Sequence, residues 1–179
     1  MGYLIQSTIT YAIPLLLVAL AGVFSERSGI INIALDGIMI FGAFIGVFFV
    51  KIFVEAGITV DMGQIILPII ILLVAVFGAL FALLLAFASV HLKADQTIGG
   101  TALNLLAPAL VLFLVSIICH QNYLSAPSNP SYVSLFMLKY TDFGIPQGQK
   151  LNLFQEIFCD KIYTTTYYAI GIVVILSIV

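Results

Sequence analysis

Five apolar runs, at about 4–24, 30–54, 65–90, 98–118 and 162–179, are separated by short polar joints at 25–29, 55–63 and 91–97 and by one long joint at 119–161. A helix rises about 1.5 Å per residue, so a run of about 17–25 apolar residues reaches across a hydrocarbon layer of about 30 Å. The pattern predicts an all-α fold, a polytopic transmembrane helical bundle, with 1–179 as a single domain and 119–161 as its long loop. The run from Ile65 to Val90 carries no charge, and its length leaves room for a tilt or a bend near Gly78. The run at 98–118 opens on Gly99-Gly100 and contains Pro108, so a broken or re-entrant helix is expected there. In the long joint, Ala126-Pro127-Ser128-Asn129-Pro130-Ser131 and Gly144-Ile145-Pro146-Gln147-Gly148 are turn-rich and suit an ordered loop.

Two polar segments stand at the edges of these runs. The first is Ser25-Glu26-Arg27-Ser28-Gly29-Ile30-Ile31-Asn32-Ile33-Ala34-Leu35-Asp36-Gly37, and the second runs from His91 through Lys93, Asp95 and Gly99-Gly100 to Thr101 and Asn104. Polar backbone and an acid at a bilayer edge are costly unless protein or a wet pathway surrounds them, which points to transport. Asn32 and Asp36 are four apart and on a helix would share a face, with Gly29 and Gly37 permitting close approach or local unwinding. Gly99 and Gly100 loosen the backbone before Thr101 and Asn104, which are three apart and offer a hydroxyl and an amide. Asn32, Asp36, Gly99, Gly100, Thr101 and Asn104 are therefore the candidate substrate-path residues. Helix capping and interhelical hydrogen bonding would use the same groups equally well. For Ser25 to Ser28, interfacial anchoring is the expected role.

Composition narrows the class. With 63% apolar and 8% charged residues, the chain departs from soluble domains, in which about 25% of residues are charged. The net charge of -2 and the lack of a basic cluster exclude a nucleic-acid partner. Arg27, Lys51, Lys93, Lys139, Lys150 and Lys161 are spread along the chain, in or beside each joint, so charge does not orient the bundle. The first 25 residues hold no charged side chain, which suits a retained helix rather than a cleaved leader. No phosphate-binding glycine loop, nucleophile elbow or zinc-protease helix occurs, so the chain is expected not to be an enzyme. His91 and His120 lack the spacing of a metal site. Cys119 and Cys159 flank a polar loop and could pair if it faces an oxidising compartment; free thiols are the expected state.

The segment from Ser25 to Gly37 resembles one that follows the first helix in membrane permease subunits of ABC importers of the branched-chain amino acid, simple-sugar and nucleoside group, nearest in wording to the nucleoside branch. His91-Leu92-Lys93-Ala94-Asp95-Gln96-Thr97-Ile98-Gly99-Gly100-Thr101-Ala102-Leu103-Asn104 is similar to a second segment of that family, which in the nucleoside branch lies beside the substrate path. The resemblance implies a multi-pass permease subunit in the plasma or inner membrane, walling part of the path for nucleosides or a related small polar solute such as a simple sugar. It implies no cofactor on this chain, since ATP is bound by a separate ATPase subunit. The other implied partners are a second permease subunit, an extracellular or periplasmic solute-binding lipoprotein or protein, and membrane lipid.

The resemblance also sets the 119–161 loop on the external face, whereas counting four full crossings from an inside N-terminus sets it inside. The two agree if one polar-headed segment does not cross fully. Family members continue past the point that corresponds to Val179, so the domain is expected to be incomplete at its C-terminus. Two other readings stay open. One is an ion-coupled secondary transporter, with Asp36 or Asp95 as proton or cation sites. The other is an inactive remnant or assembly partner of a permease.

Overall fold

In the computed structural model the described residues are 2–57, 63–120, 137–138 and 162–178. They form five helices: α1 (Gly2–Arg27), α2 (Leu35–Glu55), α3 (Gly63–Val90), α4 (Gln96–Cys119) and α5 (Thr164–Ile178). One antiparallel pair of two-residue strands, β1 (Met137–Leu138) and β2 (Ile162–Tyr163), pairs Met137 with Tyr163 and Leu138 with Ile162. The first four helices are long and apolar enough to cross a membrane, and the apolar part of α5, Thr164–Leu176, is shorter. Each of the five apolar runs thus becomes a helix. The cysteine pair and the 119–161 joint fall outside the described residues, apart from the backbone at 119, the residue at 120 and the strand at 137–138.

Two expectations of local structure are corrected. The run at 98–118 is not broken: α4 is one helix of 24 residues through Gly99, Gly100 and Pro108. A proline removes one N–H, and a helix in a membrane tolerates this where its neighbours and local adjustment satisfy the freed carbonyl. Likewise α1 continues through Pro14, and α3 through Pro68 and Gly78. The irregular stretch lies instead ahead of α2, which begins at Leu35 rather than at residue 30.

The described chain divides into two compact units, one of residues 1–20 and 130–179 and the other of residues 21–129. In the first, Thr164 and Thr166 at the start of α5 are buried, as is Ile13 of α1. In the second, α2 lies against both α3 and α4. One core cluster joins Ala34, Phe81, Leu85, Leu103 and Ala107, flanked by Ile38 and Phe41. A second joins Phe44, Ile45 and Val115, flanked by Phe49, Val74, Phe77, Val111 and Leu114 among others. Phe41 and Phe81 stack with ring centroids 4.6 Å apart and planes at 17°, a geometry that aromatic pairs favour. On α4 the inward positions Gly100, Leu103, Asn104, Ala107, Val111 and Val115 recur every three or four residues, as one helical face requires. Large apolar side chains such as Leu105, Leu112 and Phe113 stand exposed on the other side of α4, where hydrocarbon rather than water suits them.

Candidate functional site

α1 ends where its sequence turns from apolar to polar. Gly29 takes a φ of 84°, which a residue with a Cβ rarely adopts, and its N–H closes on the Glu26 carbonyl at 3.0 Å. The Ile30 N–H returns to the Ser25 carbonyl at 3.2 Å, while the Ser25 hydroxyl donates to the Ile30 carbonyl at 2.7 Å. The chain then runs non-helically to Ala34 before α2 begins. Such a strap leaves peptide groups without intrahelical partners, and in a membrane protein they must find them in neighbouring protein.

α4 supplies those partners. Gln96 accepts from the Ile31 N–H through Oε1 at 2.9 Å. Asn104 donates from Nδ2 to the Ile33 carbonyl at 2.8 Å and accepts through Oδ1 from the Gly37 N–H, also at 2.8 Å. In a continuous helix the Gly37 N–H would bond the Ile33 carbonyl directly, four residues back. The Asn104 carboxamide is inserted into that one rung, and the next, from the Ile38 N–H to the Ala34 carbonyl, is intact at 3.0 Å. Ala34, at the N-cap of α2, offers no side-chain cap; Asn104 caps the helix from across the interface instead.

Two glycines make the approach close enough. A Cβ on Gly37 would lie 2.9 Å from both Asn104 Oδ1 and the Leu103 carbonyl oxygen. One on Gly100 would lie 3.0 Å from Ile33 Cβ and 3.3 Å from the Ala34 nitrogen. Gly99 points elsewhere, with its Cβ position 3.1 Å from Leu85 Cδ1 of α3.

The six candidates therefore divide. Asn104 and Gly100 meet at the strap, and Gly99 serves packing on α3. Asn32 lies outside α2, so it does not share a helical face with Asp36; its Oδ1 accepts from the Ala34 N–H at 3.1 Å. Asp36 is exposed in the first turn of α2, where a carboxylate suits the positive end of the helix dipole. Thr101 is exposed, and its hydroxyl lies 3.0 Å from the carbonyls of both Thr97 and Ile98 in its own helix, so it does not join Asn104. Asp95 caps α4, its carboxylate accepting from the N–H groups of Thr97 at 2.7 Å and Ile98 at 3.3 Å. Those bonds, from Thr97 first and then Ile98, hold its carboxyl below the usual range. Gln96 is the strap partner that residue-by-residue reading misses. Its signal is periodic: it precedes Gly100 by one helical turn and Asn104 by two.

Four apolar helices of spanning length, with an irregular strap whose peptide groups are met by a neighbouring helix, define a multi-pass helical membrane protein. The chain belongs to the family described as branched-chain amino acid transport system / permease component, whose model matches residues 4–179. It is 35% identical over 172 residues to the guanosine ABC transporter permease protein NupQ of Bacillus subtilis (strain 168), covering 96% of this chain and 50% of that protein. It is 38% identical over 135 residues to the nucleoside ABC transporter permease protein NupC of Lactococcus lactis subsp. cremoris, covering 75% of this chain and 41% of that protein. A putative glucose ABC transporter permease protein, TsgC13 of Haloferax volcanii, is 33% identical over 113 residues, 63% of this chain and 31% of its own. The chain thus spans about half the length, or less, of these curated relatives. No solved structure matches it. As a member of a permease family with four spanning helices, it is a multi-pass protein of the cell membrane.

Proposed function

We propose that the chain is part of the membrane-spanning permease subunit of an ATP-binding-cassette importer, and that it walls part of the translocation path for a nucleoside or a closely related small polar solute. The observation that carries this reading is the likeness to the guanosine permease along 96% of the chain. It is supported by the strap at the head of α2, because irregular, protein-lined backbone at the ends of spanning helices is what transporters use to present polar groups to solute. Hydrolysis of ATP belongs to a separate subunit, and a second permease subunit and a solute-binding protein complete the assembly. Alternating access would then be a shift of the bundle around the path, driven by ATP binding to the partner.

The test is uptake of labelled guanosine by membranes that hold the assembled transporter with its ATPase and binding protein. The expected result is ATP-dependent uptake that other nucleosides compete and that leucine and glucose do not. Uptake that follows a proton gradient in the absence of ATP would overturn the importer class, and competition by glucose alone would move the solute to a sugar.

A further inference from the structure

A side chain that splits one helical rung is an unusual investment. Left to themselves, the Ile33 carbonyl and the Gly37 N–H would satisfy each other and lengthen α2 toward its N-terminus. Asn104 instead takes both, at 2.8 Å each, and among uncharged side chains only a carboxamide carries a donor and an acceptor side by side in this way. The strap is thereby drawn onto α4 between Gln96 and Asn104, with Gly100 beneath Ile33. Asp36, one residue before Gly37, stands exposed in the first turn of α2.

We propose that Asn104, assisted by Gln96, is a positioning residue of the translocation path: by holding the rung between Ile33 and Gly37 open, it fixes the first turn of α2 so that Asp36 is presented to the solute. This role rests on the permease reading above. It differs from simple interhelical cohesion in one respect. When the carboxamide is removed, its two hydrogen bonds are lost, but the Ile33 carbonyl and the Gly37 N–H can close on each other in one, so neither peptide group is left unpaired while the strap changes course.

The experiment uses the assembled transporter with its native cysteines, Cys119 and Cys159 among them, replaced by serine and a single cysteine at Ile33, compared with and without Asn104→Leu. The first readout is the rate at which a water-soluble maleimide labels that cysteine. The second is the half-saturating guanosine concentration and maximal uptake rate per molecule, measured without the Ile33 substitution. For Asn104→Leu we expect abundance within about twofold of the parent and labelling faster by about fivefold or more. We expect the half-saturating concentration to rise by a similar factor, the size of change that loss of one ordinary hydrogen bond gives. Asn104→Asp, which keeps the acceptor for the Gly37 N–H and loses the donor to Ile33, should fall between the two.

Unchanged labelling would show that Asn104 does not hold the strap, and would overturn the proposal. Faster labelling with unchanged half-saturation would reduce the clamp to cohesion and overturn the positioning role. Should Asn104→Leu not accumulate, Asn104→Asp and Gln96→Leu decide between these outcomes in the same two assays. A parent transporter that takes up no nucleoside fails the permease reading instead, a result separate from any difference between parent and variant.

Discussion

Gly37 and Asn104 meet at a single oxygen: the Gly37 N–H donates to Asn104 Oδ1 at 2.8 Å, and a Cβ on Gly37 would stand 2.9 Å from the same atom. Hydrogen bond and missing side chain are two sides of one contact, since the amide can come this close only where no methyl intervenes. Gly37→Ala should therefore push α2 off α4 and lower stability by about 1–3 kcal/mol, the usual cost of overpacking. Gly78→Ala is the internal control, because nothing lies within 4 Å of its Cβ position and an alanine favours helix. Thermal unfolding midpoints of the detergent-purified protein check the pair, and equal midpoints for the two variants would contradict the contact.

Phe81 is buried in the cluster that joins α2, α3 and α4, whereas Phe113 is exposed on α4. In lipid the transfer term of a hydrophobic truncation largely vanishes, but the cavity and the lost stack on Phe41 do not. Phe81→Ala is expected to cost on the order of 1–3 kcal/mol and Phe113→Ala little. The same unfolding measurement separates them.

The cap at Asp95 makes the head of α4 sensitive to acid. Its carboxyl is held low in the folded protein by the Thr97 and Ile98 N–H groups, so the stabilisation is fully present above the unfolded-state value of 3.8. It is lost as pH falls through the lowered folded value. Amide exchange at Thr97 and Ile98, corrected for its intrinsic pH dependence, should show protection weakening in acid in the native protein. Asp95→Asn, which keeps a capping oxygen that does not titrate, should remove that pH dependence.

Asp36 is exposed and makes no cap for its own helix. Asp36→Asn in the assembled transporter should leave abundance within about twofold while lowering uptake by about tenfold or more, the equivalent of one charge-assisted hydrogen bond to solute. Parallel loss of abundance and uptake would assign Asp36 to folding rather than to the path.

How far the sequence reaches is clearest at the two polar segments. The residues of the strap were legible as a place where a regular apolar helix could not continue, because Ser28, Gly29 and Asn32 interrupt the run and Gly29 suits a left-handed end. Gly99-Gly100 and Pro108 gave a similar warning in α4, yet that helix is unbroken. The two cases look alike in composition and differ in partners. At the strap, Gln96 and Asn104 stand ready to take the freed peptide groups, while α4 stays helical through Gly99 and Gly100 and loses only the one N–H that Pro108 lacks.

By itself the sequence determined the apolar helices found among the described residues, their approximate limits and the permease family, since bilayer length and local motif are written in consecutive residues. It nominated Asn104, but it could not say whether the amide faces solute or peptide. Tertiary structure alone decided that, by bringing a side chain of α4 to a rung of α2 more than sixty residues earlier. It also separated Asn104 from Thr101: three residues fall about 60° short of a full helical turn, so Asn104 reaches the interface while Thr101 lies at its edge, exposed and bonded to its own helix.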